Sequence, residues 1–583
     1  MIEPGVAHKI NALRFGVLCN GNDLQRWQAD ALKELLCSGH TLELLIIDAR
    51  TPLRISPFKR LGKRHRKNLL FSLINDRFFK PEAKLPVNLD ADFKMVPRLS
   101  CLVNEKGFSE YFKDQDLEEI TKFRLDFILR FGFNILRGGI LHAARYGVWS
   151  FHHGDELLYR GGPPGFWEIY RKDPVSGAIL QRLTEKLDGG IILKKGYLKT
   201  VSHSYQQNLD QMLKVSAPWP AWVATQLALH PPAGGTDHHL LMSEVSTTNA
   251  PVYKLPGNFE TIKFLWKLLL NRIRFYHHTW SQVEIWNVGI VRKPAEELAL
   301  VDGAIESHEV QWLPPLSHLG YLADPFGFAS HRLIQILAEE YHYDTGKAHI
   351  SEMVVNLPEG ESGKPLTVSK PVKLLAEDNH LSYPYTFEFG GSRFCVPESY
   401  QSSQIALYKW DEISKKFQLN RVLVPSVQAV DPTMIHYNNT WWLYFTIRQY
   451  SNTHLYLYSA KHLEDEFISH PQNPVKTDIR SARPAGIPII YQQELFRPAQ
   501  DCSMTYGGRI AINKVIKITS DEYKEETIRF LEPVAGSPYP DGIHTMSAAG
   551  RLTLIDGKRY RTDFRYLVKH LLARTGRKGG RDV

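Results

Sequence analysis

The sequence predicts two folds in one chain: a multidomain protein with an α/β part followed by an all-β part built of repeated blades. Three observations predict it. Residues 13–48 read strand, helix, strand. From Val283 onward the texture changes to short aromatic and β-branched runs between Gly, Asn, Asp and Pro. Similar blocks then recur about every 45–65 residues. A chain of 583 residues is also too long for one ordinary hydrophobic core.

Leu13 to Cys19 is apolar enough for a buried parallel strand. Asn20-Gly-Asn-Asp23 is a turn, Leu24 to Leu36 carries helical periodicity, Gly39 ends it, and Leu42 to Ile47 is the next strand. Such a βαβ unit implies a parallel sheet with a crossover helix. Residues 50–105 are irregular, basic and proline-containing, the texture of an insertion. Alternation then resumes with a helix over Leu117–Lys122, a strand over Phe127–Phe131, a helix over Leu136–Tyr146 and a strand over Val148–His152. A hairpin-like pair surrounds Gly177–Leu183 and Gly190–Leu193, and helical periodicity over 203–229 closes the domain. Residues 231–255 have linker composition, and a helical segment follows at about 258–278. The expected division is therefore 1–230 as an α/β domain, 231–282 as linker and helix, 283–560 as the β region and 561–583 as a basic tail.

In the β region the recurring blocks begin at Ala323-Asp-Pro, Ser382-Tyr-Pro, Asp431-Pro-Thr, Arg497-Pro-Ala and Gly542-Ile-His. Five blocks at this spacing suggest a five-bladed β-propeller, with a β-sandwich as the alternative.

Composition narrows the function classes. The chain is 43% hydrophobic and 23% charged, which argues against wholesale disorder. A net charge of +9 is modest for this length and does not by itself indicate nucleic acid. Two basic clusters, Lys59–Lys67 and Arg574–Arg581, read as solvated loop and frayed tail, with an RNA or acidic-lipid contact as the alternative. Five scattered cysteines without a CxxC pair argue against a disulfide framework and a zinc site of the usual spacing, and no metal is expected. The N-terminus lacks a signal pattern. The longest apolar candidate, Ile262 to Leu270, is cut by two lysines and reads as an amphipathic helix. The expectation is a cytoplasmic protein with no membrane span.

The most informative stretch runs from Gly147 to Gly165, followed by Ser176 to Leu193. A strand carries His152 to the carboxyl edge of the sheet, where ligands of parallel α/β sheets bind. A Gly-rich loop follows, and Asp188 sits in a Gly-flanked turn. This arrangement resembles the folate-dependent formyltransferases, including the methionyl-tRNA, glycinamide ribonucleotide and amino-sugar branches. His152 falls on the family histidine, Tyr159-Arg160-Gly161 on the loop end and Leu187-Asp188-Gly189-Gly190 on the aspartate turn. The separation, 188 − 152 = 36, is the family spacing without gaps. The resemblance covers roughly residues 13–200.

The resemblance implies a Rossmann-like domain that moves a formyl group from 10-formyltetrahydrofolate to an amine, on an amino sugar or glycan precursor. His152 and Asp188 would be catalytic, and Asn134, Arg160, Gly161 and Leu187 would line the donor site. A histidine oriented by a carboxylate can stabilise the tetrahedral oxyanion and move the amine proton. The chain departs from the family in two places. Ser150 stands where the family has asparagine, and Gly154-Asp155-Glu156-Leu157-Leu158 replaces the usual Ser-Leu-Leu-Pro. Another acyl or one-carbon transfer, or a domain that only binds, are the alternatives.

The β blocks resemble the five-bladed propeller related to glycoside hydrolase family 43. More narrowly, they resemble the propeller-like domain of glucosamine inositolphosphorylceramide transferases. The resemblance implies carbohydrate at a central funnel, with Asp324 and Asp431 as the leading carboxylates and Asp501, Glu398 and Glu340 competing as acid. Arg497, His544, His380 and Tyr383 suit the same funnel. Binding without hydrolysis is preferred over a glycosidase. The competing class is a carbohydrate-binding scaffold whose transferase domain has lost activity.

Overall fold

The structure, a computed structural model, describes residues 11–21, 23–50, 67–88, 93–186, 189–229, 248–316, 320–330, 332–357 and 365–563. They form two compact units that divide between Phe275 and Tyr276, one mixed α/β and the other β-rich.

The α/β unit is centred on a seven-stranded sheet. Its order is Ile191–Lys199, Val175–Arg182, Val148–His152, Phe127–Arg130, Arg14–Cys19, Thr41–Asp48 and Arg98–Cys101. The last five pair in parallel, and the first two add as an antiparallel hairpin. Parallel strands are covered on both faces, which explains the near-continuous apolar runs at 14–19 and 127–130. Phe127 stacks between Phe15 and Trp149, with ring centroids 5.4 and 4.0 Å away. The crossover helix Arg26–Cys37 buries Trp27, Ala31, Leu32 and Leu35, the three-and-four spacing of one helical face.

One expectation is corrected here. Leu136–Tyr146 is not an α-helix: it is a short strand, Ile135–Arg137, followed by a 3-10 turn, Gly138–His142. The Gly138-Gly139 pair is the reason, since Gly138 takes φ +73° and ends any helical run. The irregular segment 50–105 contributes the edge strand Arg98–Cys101 and the helix Leu69–Phe78. The helix expected after the linker runs Asn258–Ser281. Its Phe264 and Leu268 join the core of the α/β unit, so the units divide within this helix. The basic cluster at 59–66, most of the linker and the tail from 564 lie outside the described residues.

The β-rich unit contains five antiparallel sheets among the described residues. Their first strands are Gly320–Ala329, Ser382–Phe389, Ala429–Tyr437 and, after a short strand, Glu494–Asp501. The remaining sheet joins both ends of the unit: Gln282–Val291 pairs along its whole length with Leu552–Thr562. Inward-facing aromatics fill the space between sheets, as where Phe326 meets Tyr383 edge-on at 4.8 Å.

Candidate functional site

Three first strands share one deformation. The ladder skips between Ala323 and Phe326, between Ser382 and Tyr385, and between Val430 and Thr433. The skipped pairs are Asp324-Pro325, Tyr383-Pro384 and Asp431-Pro432. Asp324, Tyr383 and Asp431 adopt φ of +49°, +43° and +51°. Left-handed geometry in a non-glycine residue costs about 1–3 kcal/mol, and surrounding contacts must hold it. Each bulge re-aims one side chain out of the pleat, as bulges near sites do.

The second strands repeat the pattern. Ala323 faces Glu339 and Ser382 faces Glu398, while Val430 faces Thr446. The interval is constant: 339 − 324, 398 − 383 and 446 − 431 are each 15. Two buried glutamates thus stand beside two left-handed residues.

The groups form one polar centre. Asp431 accepts from Arg483 Nε at 2.5 Å and from Gln500 Nε2 at 2.9 Å, and its own N–H donates to Glu398 Oε2 at 3.0 Å. Asp324 accepts from Thr545 Oγ1 at 2.7 Å, and its N–H donates to Asp556 Oδ2 at 3.2 Å. Asp556 also holds His544, with Nδ1 2.5 Å from Oδ2, and accepts the backbone N–H groups of His544 and Thr545. His544 stacks on Trp286 at 3.9 Å. Tyr383 Oη lies 2.9 Å from Thr433 Oγ1 and accepts from Gly486 N at 2.7 Å.

Burial sets the proton inventory. It pushes Glu339 well above the usual carboxyl range, with Asp324, Glu398 and Asp431 adding repulsion. Burial also raises Glu398, again with Asp431 adding to it. Burial lifts Asp324 to about 6, against the pull of His544. Burial opposes a charge on His544, but Asp556 and Asp324 outweigh it and raise its pKa. The two glutamates therefore keep their protons to higher pH than an ordinary carboxyl, while Asp431 accepts from Arg483 and Gln500. A hydroxyl-rich ligand needs both kinds of group.

Half-buried aromatics stand close to the glutamate side. Tyr321 stacks on Tyr341 at 4.9 Å, Tyr341 meets His380 at 6.3 Å, and His380 Nε2 is 3.6 Å from Glu339 Oε1.

Of the residues expected in the funnel, Asp324, Asp431, Tyr383, Glu398 and His544 converge, and His380 touches Glu339. Arg497 and Asp501 do not join them. Arg497 forks onto Glu525 at 2.9 and 2.6 Å, in a separate buried cluster with Lys476. Asp501 is held by Arg509 at 2.8 Å. Glu340 points to the opposite face from Glu339, as strand alternation requires. There it lies 3.3 Å from His342 and 3.6 Å from His349. Glu340, His342 and His349 offer a donor set that a divalent cation could use, as do Asp324, His544 and Asp556. In the second set Asp556 already accepts from His544, Thr545 and the Asp324 N–H. Sequence reasoning missed Glu339, Arg483, Gln500 and Asp556; the 15-residue interval is the signal that finds the first.

In the α/β unit, His152 ends its strand at the carboxyl edge, but its Nε2 lies 3.0 Å from Tyr159 O. Ser150 is buried, with its hydroxyl 3.4 Å from Phe151 O. Asn134 spends its side chain on Glu110: Nδ2 and the backbone N each donate to it at 2.7 Å. Arg160 Nη1 donates to Ala250 O at 3.1 Å. Gly161 pairs with Tyr253, and a Cβ there would lie 2.2 Å from Tyr253 O. Asp155 and Glu156, in the loop after His152, both bind Lys195. Leu187 and Asp188 lie outside the described residues. Among the described residues, Asn134, Arg160 and Gly161 thus have partners within the fold.

A model of the family described as glucosamine inositolphosphorylceramide transferase 1, N-terminal, matches residues 317–536. The protein named glucosamine inositolphosphorylceramide transferase 1 from Oryza sativa subsp. japonica is 28% identical over 211 residues, 35% of this chain and 27% of that protein. Its namesake from Arabidopsis thaliana is 27% identical over 216 residues, 36% of this chain and 27% of that protein. The chain spans about a quarter of the length of the curated relatives it matches. Among solved structures, glycinamide ribonucleotide transformylase 1 from Symbiobacterium toebii aligns with a TM-score of 0.27 and 13% identity, over 39% of this chain and 93% of its own. An exo-beta-1,3-galactanase from Phanerochaete chrysosporium aligns with a TM-score of 0.29 and 11% identity, over 37% of this chain and 53% of its own.

These matches correct the functional expectation. The relatives are named for glucosamine inositolphosphorylceramide transfer, not for folate-dependent formyl transfer. The family match also lies wholly outside residues 13–200, which carry the formyltransferase-like motifs.

Proposed function

We propose that this chain takes part in glycosyl transfer to a sugar- or inositol-bearing lipid, and that its β-rich unit holds the polyol headgroup at the Asp324/Asp431 centre. The observation that carries this reading is the convergence of two buried glutamates, Glu339 and Glu398, Asp431 with Arg483, and a tyrosine rim on one buried site. Vicinal hydroxyls donate to a carboxylate and accept from a protonated carboxyl, and their C–H faces pack on aromatic rings. The names of the relatives supply the substrate class, glucosamine and inositolphosphorylceramide. We infer further that the five sheets are the blades of one five-bladed ring. The pairing of Gln282–Val291 with Leu552–Thr562 would close it. Such a ring would bring the three left-handed residues to one axis.

The test is calorimetric titration of the full chain with glucosamine, myo-inositol 1-phosphate and a glucosaminyl-inositol phosphate. The expected result is saturable binding of the conjugate, tighter than either half. Folded protein that binds none of the three overturns the reading.

A further inference from the structure

The helix Asn258–Ser281 buries one face and leaves the other bare. Thr261, Phe264 and Leu268 are buried, and Phe264 stacks on Phe166 at 4.1 Å. On the other side Phe259, Ile262, Trp266, Leu269 and Ile273 follow the same three-and-four spacing, each between 48% and 78% exposed. The stripe is continuous over roughly 20 Å of helix. A contiguous apolar strip of this kind marks a surface that something covers.

Charge says what covers it. The helix carries Lys263, Lys267, Arg272 and Arg274 against one carboxylate, Glu260. Lys263, Arg272 and Arg274 are exposed. At about 100° per residue, Lys263 and Arg274 fall on one flank of the stripe and Arg272 on the other. Lys67 and Lys254, also exposed, stand near its head, where Asn258 N donates to Lys67 O. An apolar strip flanked by cations fits acyl chains beneath anionic headgroups. Trp266, in mid-stripe, has the amphipathic ring that favours the membrane–water boundary. No described helix is long and apolar enough to cross a membrane, so this one would lie in the surface plane.

We propose that the helix Asn258–Ser281 is an interfacial anchor that lays its Phe259–Ile273 stripe into an anionic lipid bilayer. This goes beyond the sugar-binding reading and does not depend on it.

Vesicle co-sedimentation of the full chain tests it, with phosphatidylcholine alone and with one-third phosphatidylserine. The parent binds the anionic vesicles in preference. Ile262→Ser/Trp266→Ser/Ile273→Ser weakens that binding by at least about ten-fold. Lys263→Glu/Arg272→Glu/Arg274→Glu weakens it by at least about five-fold per reversed charge and removes the preference for phosphatidylserine. Both variants alter exposed side chains only, so circular dichroism and melting stay as in the parent. Failure of the parent to bind anionic vesicles overturns the proposal, as does undiminished binding by the serine variant. A parent dimer that the serine variant dissociates, without vesicle binding, assigns the stripe to a second copy of the chain instead.

Discussion

Arg483 holds Asp431 with two nitrogens: Nε lies 2.5 Å from Oδ2 and Nη2 lies 3.3 Å from Oδ1. Both side chains are largely withdrawn from water. The pair sits where a strained first strand meets a loop 52 residues away.

Removing the cation leaves a buried carboxylate uncompensated. Arg483→Met is expected to destabilise the β-rich unit by about 3–5 kcal/mol. The double variant Arg483→Met/Asp431→Leu should recover much of that loss, because neither charge remains. Urea unfolding of the full chain, followed by transitions assigned to each unit, measures both. An unchanged midpoint for Arg483→Met would show that the pair bears no part of the fold.

The pH dependence follows from Asp324, whose carboxyl burial lifts to about 6. An unfolded aspartate titrates near 3.9. A folded value above the unfolded one gives stability that is fully present below about pH 4 and is lost as pH rises through about 6. His544, also raised, loses stability in the same direction. Asp324→Asn cannot ionise, so the parent should lose roughly 1–3 kcal/mol relative to it between pH 4 and pH 7. Melting temperatures of the two proteins across that window check this; parallel curves would refute it.

Asn134 donates twice to Glu110. Its two donors on Glu110, which Arg50 also reaches at 2.6 Å, satisfy a carboxylate that is only 1% exposed. Asn134→Ala should lower the stability of the α/β unit by about 1–3 kcal/mol. Thermal unfolding reads the change, and saccharide binding should stay as in the parent.

Arg497 provides the contrast within the β-rich unit. It is buried on Glu525, away from Asp324 and Asp431. Arg497→Leu should cost about 3–5 kcal/mol of stability, since Glu525 loses its closest cation. Binding per folded molecule should not change. A selective loss of affinity in calorimetry would place Arg497 at the site after all.

Asp324 and Asp431 were legible because Asp-Pro at the head of a repeated block is informative by itself. Glu339 was not, because it adjoins Glu340 in sequence and only strand register decides which of them faces inward. Arg483, Gln500 and Asp556 reach the centre from distant strands and loops, and no local pattern marks them. In the α/β unit the parallel strands could be read from their apolar runs, while the helix expected at 136–146 was undone by two glycines. The motif around His152 was visible, but the internal bonds of Asn134 and Arg160 depend on Glu110 and Ala250, which spacing cannot pair with them. A surface pocket lined by Glu388, Arg393 and Trp410 had no signal either. It lies about 20 Å along its strand from Tyr383 and serves as a control.

The most direct measurement is calorimetric titration of a glucosaminyl-inositol phosphate into the parent, Asp431→Asn and Arg393→Ala. Asp431→Asn is expected to weaken binding by at least about ten-fold, roughly 1.4 kcal/mol, while Arg393→Ala binds as the parent does. Parent-like affinity in folded Asp431→Asn, with loss in Arg393→Ala, would place the ligand in the surface pocket and contradict a site at the Asp324/Asp431 centre.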